Sequence, residues 1–148
     1  MFTKIEIASK ESIKELVKVA FQTDLEISGA WGYSKALATV LEEVSRSTKV
    51  QSEFTLATMR AYLEMNMTLD KNERYAAINL NEIARESEGN YEKVSYEISA
   101  MKELEYNALI TEYKENLEKK DFDIDAHFAK RKEVTLKREV IHWFKIGA

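Results

Sequence analysis

The residues best suited to chemistry in this sequence are the seven of Gly29-Ala30-Trp31-Gly32-Tyr33-Ser34-Lys35. Two glycines let a backbone approach a ligand closely, and a helix starting after Ser34 would offer its free amides to an anionic group. On that reading Gly29, Trp31, Gly32, Tyr33, Ser34 and Lys35 form a site for a small anionic molecule, with Trp31 or Tyr33 against its body. The segment is not a Walker loop, which needs four residues between its first glycine and a Gly-Lys-Ser/Thr, and it lacks the three glycines of a dinucleotide loop. The opposing reading is structural: Trp31 plugs the core and Ser34 caps the helix. A buried Trp31 would count against a ligand.

Three further constellations fall short of a complete signature. The Gly-x-x-Gly spacing matches the backbone-clamping loop of KH domains, but Ala30 and Trp31 stand where a basic residue belongs. Asp121, Asp123, Asp125 and His127 alternate as oxygen and imidazole ligands could. Counted from Asp121, however, the sixth residue is Ala126 where a calcium loop turns on glycine, and the twelfth is Lys132 where it closes on glutamate. Acidic residues there are expected to cap a helix and meet the positive end of its dipole. Glu139 and His142 have the Glu-x-x-His spacing of di-iron bundles, but the other histidine, His127, follows Ile124 at that spacing, so the second half is missing. No Gly-x-Ser-x-Gly nucleophile elbow occurs. The sequence therefore nominates no catalytic residue, no metal site and no cofactor.

Composition sets the frame. A chain of 148 residues has the size of one domain, and residues 1–148 are expected to pack as one unit. With no cysteine, disulfides, thiolate zinc sites and cysteine nucleophiles are excluded. A net charge of −4 gives no general attraction to nucleic acid or anionic lipid. Charge is uneven, with seven acidic and three basic residues between Glu82 and Glu105 and six basic and two acidic from Phe128 to Ala148. Lys130, Arg131, Lys132, Lys137 and Arg138 could meet an acidic partner, or simply be solvated. No run approaches the ~20 apolar residues that cross a bilayer, and the charged start MFTKIEIASKESIK does not read as a signal peptide. A cytoplasmic protein is expected.

The elements that would position these residues follow from periodicity. Lys4 to Ala8 alternates as a short strand. Ser9 or Ser12 precedes a helix carrying Ile13, Leu16, Val17, Ala20 and Phe21 on one face. Leu37, Val40, Leu41 and Val44 have helical spacing after Ser34, and Ser52 can cap a longer helix through Phe54, Leu56, Met59, Leu63 and Met67. Met59, Tyr62, Met65 and Met67 cover more than one face of that helix, so it is either surrounded or joins another subunit. Residues 75–101 fit strand and helix alike, but Gly89-Asn90 between β-branched and aromatic stretches favours a hairpin. A helix follows from Lys102 towards Lys120, then another near Ala126 to Glu133. VIHWFKI, apolar on both faces, reads as a buried strand, with a last helical turn as the alternative.

The fold expected is α+β, several helices packed on a small antiparallel sheet, with an all-α bundle as the rival. The function expected is that of a non-enzymatic interaction or adaptor domain that self-associates, a homodimer being the commonest closed form. The alternative is a ligand-binding protein or enzyme using Gly29 to Lys35. Nucleic acid ranks third.

Overall fold

The computed structural model describes residues 6–7, 11–45, 47–66 and 73–147. In chain order these form α1 (Ile13–Phe21), β1 (Ile27–Gly29), a single 3-10 turn (Lys35–Leu37), β2 (Thr39–Leu41), α2 (Lys49–Asn66), β3 (Tyr75–Glu88), β4 (Tyr91–Lys102), α3 (Glu103–Asn116), α4 (Ile124–Val134) and β5 (Leu136–Ile146). The strands make one sheet in the order β1-β2-β5-β4-β3. This is the expected α+β fold. One pair departs from the antiparallel rule: β2 runs parallel to β5, with Thr39 opposite Phe144 and Leu41 opposite Ile146.

Local chemistry accounts for most of these elements. Ser12 caps α1, its Oγ accepting the Glu15 amide at 3.2 Å, and Ile13, Leu16 and Val17 turn its apolar stripe into the core. The hairpin turns at Gly89-Asn90, where Gly89 has φ +63. This left-handed region suits glycine. β4 then alternates strictly, burying Glu92, Val94, Tyr96, Ile98 and Ala100 on one face. β5 inserts between β2 and β4, and Tyr91 to Ala100 of β4 pair antiparallel with its residues from Lys145 back to Leu136. The core gathers Leu56, Ala57 and Ala61 of α2 with Tyr96, Ile98 and Phe144 of the sheet.

Four sequence expectations are corrected or fall elsewhere. The helix read after Ser34 is a 3-10 turn followed by β2. The apolar spacing of Leu37 to Val44 is real, but Leu37 is exposed while Thr39 and Leu41 are buried, because the pairing with β1 and β5 claims the backbone. α2 begins at Lys49, and the Ser52 amide already donates to the Thr48 carbonyl at 2.9 Å, so Ser52 is inside the helix. The strand read at Lys4 to Ala8 and the residue Met67 lie largely or wholly outside the described residues.

β3 forms one edge of the sheet, and two register shifts interrupt it, between Ala76 and Asn79 and between Glu82 and Ala84. The bulges and the row of charged side chains from Glu82 to Glu88 discourage a further strand from adding there. α3 and α4 pack on each other beyond the sheet. Of their residues only Leu109 and His127 are buried.

Candidate functional site

The Gly29–Lys35 loop is turned inward. Trp31 is 8 % exposed and belongs to the core, which counts against an indole contact with a ligand. Gly29 has φ +83, and a Cβ there would strike the Ala38 carbonyl; Gly32 has φ +77, and a Cβ there would overlap the His142 ring. Both glycines therefore serve close packing against β2 and β5. The loop is also sewn to its neighbours by the Trp143 amide donating to the Gly32 carbonyl at 2.8 Å and the Gly32 amide donating to the Leu37 carbonyl at 2.7 Å.

The polar side chains of the loop have internal partners as well. The Tyr33 hydroxyl donates to Glu64 Oε2 at 2.7 Å and accepts the Ile7 amide at 2.8 Å. Burial, and the charge and hydrogen bond of Glu64, push the Tyr33 hydroxyl well above its ordinary range. Lys35 pairs with Glu88 at 2.9 Å and lies over the Tyr91 ring. Ser34 is exposed, and its side chain makes no capping bond.

Below the loop, Arg60 of α2 is 2 % exposed. It donates to the carbonyls of Trp31 at 3.1 Å and Ile141 at 2.8 Å. This pins the helix to the loop and β5 together. Burial lowers its pKa, but the Glu64 charge opposes that. His142 is fully buried and stacks on Phe144 with ring centroids 4.1 Å apart. Thr39 Oγ1 donates its proton to the Ala30 carbonyl at 2.6 Å, so at 2.8 Å His142 Nε2 must be the donor to Thr39. Nδ1 is then a bare acceptor without a partner. Burial, with Arg60 nearby, holds this histidine neutral, well below the usual range.

A second cluster joins α2 to the hairpin. Arg85 of β3 uses Nη1 for both Glu53 Oε1 at 2.8 Å and Glu92 Oε2 at 2.7 Å, and Nη2 for Glu82 at 2.6 Å. Lys49 reaches Glu92 Oε1 at 2.5 Å. Glu53 is 0 % exposed, and its Oε2 has no partner. Burial pushes its carboxyl up to about 8, with the Glu92 carboxyl adding to the shift against Arg85. Burial would raise Glu92 too, but the hydrogen bonds from Glu53 and Lys49 outweigh it and hold that group below its ordinary value. A cavity of about 260 Å³ opens beside this cluster, lined by Val44, Ser45, Lys49, Asn90, Glu92 and Ile146.

The remaining sequence candidates fall on α4 and β5. Asp123 is the N-cap of α4, accepting the Ala126 amide at 2.9 Å. His127 is buried among Tyr113, Phe122 and Phe128, with Nδ1 3.3 Å from Glu112. Glu139 faces away from His142 across an extended strand. Among the described residues, no group of three or more His, Cys, Asp or Glu could hold a metal ion, and no helix is long and apolar enough to cross a membrane. No family profile, curated protein or solved structure matches the chain.

The sequence reading missed the Glu53 cluster. Its signal was present on α2, where Glu53, Arg60 and Glu64 share the stripe of Leu56 and Ala57 at spacings of three, four, seven and eleven. Charged residues on an apolar stripe announce a buried ionic network.

Proposed function

We propose that this protein is a self-associating interaction domain and that the α3–α4 hairpin is the element that meets a second copy. The observation that carries the reading is how little these two helices bury. α3 has 14 residues and α4 has 11, and each buries one, while Leu104, Leu117, Ile124 and Phe128 remain 40 to 51 % exposed. Helices of this length gain most of their stability from packing an apolar face, which a partner would supply here.

A second copy fits because the hairpin is complementary to itself. α3 carries Glu103, Glu105, Glu112 and Glu115 against Lys114, whereas Lys130, Arg131 and Lys132 outnumber Asp125 and Glu133 on α4. A twofold arrangement setting α3 of one copy on α4 of the other brings unlike charges together twice, as an isologous contact requires. Ile124 and Phe128, one turn apart on α4, would lie at its centre. The Gly29–Lys35 loop is the weaker alternative, since its aromatic and charged groups already have internal partners.

Sedimentation equilibrium from micromolar to millimolar concentration tests the proposal. The wild type is expected to dimerise, and the double variant Ile124→Glu, Phe128→Glu to remain monomeric with an unchanged circular dichroism spectrum. A wild type monomeric throughout would refute it.

A further inference from the structure

We propose that Glu53 and Glu92 share one proton, held on Oε2 of Glu53 and donated to the Glu92 carboxylate, and that this proton latches α2 onto the β3–β4 hairpin and is released as pH rises. The argument begins with geometry. The two carboxyl groups converge on one donor, Arg85 Nη1, which lies 2.8 Å from Glu53 Oε1 and 2.7 Å from Glu92 Oε2. Two carboxylates are both acceptors, so a hydrogen bond between them requires a proton on one. Glu53 Oε2 is buried without any other partner, and a proton there turns an unsatisfied acceptor into a donor.

The surroundings decide which residue carries it. Glu92 faces two cations, Lys49 from α2 and Arg85 from β3, while Glu53 meets Arg85 alone. Arg85 is further engaged by Glu82. Towards the interior the cluster faces the Tyr96 hydroxyl of β4, which is itself buried without a partner and held protonated far above its usual range by burial and by the Glu53 charge. Three carboxyl groups and two cations balance when one carboxyl is protonated. Glu53, wholly removed from water, is the one that pays the larger cost of ionising.

Consequences for pH follow in sign. The folded Glu53 carboxyl, at about 8 against an ordinary 4.5, holds its proton more tightly than the unfolded chain does. Its contribution is complete below the unfolded value and is lost progressively as pH rises through about 8. Glu92, displaced the other way, contributes above its unfolded value and loses that contribution only in acid. Between about pH 4.5 and about pH 8 the stability of the joint between α2 and the hairpin therefore falls with rising pH through Glu53.

The test is a carbon NMR titration of the side-chain carboxyls of the full chain, labelled at glutamate. One glutamate is expected to remain protonated at about pH 6 and to ionise near pH 8, and its signal should be missing from Glu53→Gln. In Glu53→Gln the urea midpoint should also hold steady where that of the wild type falls with rising pH. Glu92→Gln should move the titration to lower pH by removing the neighbouring charge. The wild-type titration decides the matter even if neither variant folds: if every glutamate is already ionised at about pH 6, the proposal fails. A parallel decline of wild type and Glu53→Gln would equally overturn the latch.

Discussion

The helix α2 and the pair α3 and α4 are made from similar material and are used in opposite ways. α2 buries eight of its 18 residues, including Glu53, Arg60 and Glu64, and its charged side chains reach the loop, β3, β4 and β5. α3 and α4 bury one residue each and leave their apolar side chains half in water. The difference shows that packing partners, more than propensity, decide which helix is locked in place. It also separates two kinds of charged residue: Glu53, Arg60 and Glu64 of α2 are internal fastenings, whereas most of those on α3 and α4 stay at the surface.

A matched pair of truncations probes this contrast most strongly. Leu56→Ala, at a site 1 % exposed, is expected to lower the unfolding free energy by about 3 kcal/mol. Leu104→Ala, at a site 51 % exposed, should change it by less than about 0.5 kcal/mol. Both are measured by urea denaturation at concentrations where the protein is monomeric, and comparable losses at the two sites would erase the distinction. Asp123→Ala removes the N-cap of α4 and should cost about 1 kcal/mol. Amide hydrogen exchange should place that loss in α4 and leave α2 unaffected; a loss spread over both would mean that the helices open together. Smallest of all, Lys35→Ala removes an exposed pair with Glu88 and is expected to shift stability by about 0.5 kcal/mol or less. A larger loss by thermal denaturation would reveal that the loop depends on its surface charge.

Much of this architecture was legible where the signal was local. Ser12 followed by Ile13, Leu16 and Val17 specifies α1, and Gly89-Asn90 between alternating stretches specifies the hairpin. The residues Leu37 to Val44 misled because their spacing imitates a helix, while the determinant of their conformation is β5, about a hundred positions away in the chain. Thr39 illustrates the point: its hydroxyl partner His142 is 103 residues distant. The Glu53 cluster was hidden for the same reason, with Arg85 and Glu92 lying 32 and 39 positions beyond Glu53 on different strands. The loop glycines were visible, but their role as contact points for Ala38 and His142 could not be seen before those partners were placed.

The position of β5 carries a consequence for how the molecule assembles. It is the final strand in sequence, yet it lies in the middle of the sheet, joining β2 on one side to β4 on the other. During synthesis the early β1–β2 pair and the β3–β4 hairpin can form as separate pieces that α2 touches on both sides, but no strand joins them into one sheet until residues 136–146 leave the ribosome. Closure must then span most of the chain, a costly step that favours slow, late completion over gradual growth. Until that moment the inner edges of β2 and β4 are both exposed to other chains, so nascent copies face their greatest hazard of aggregation just before the last strand arrives.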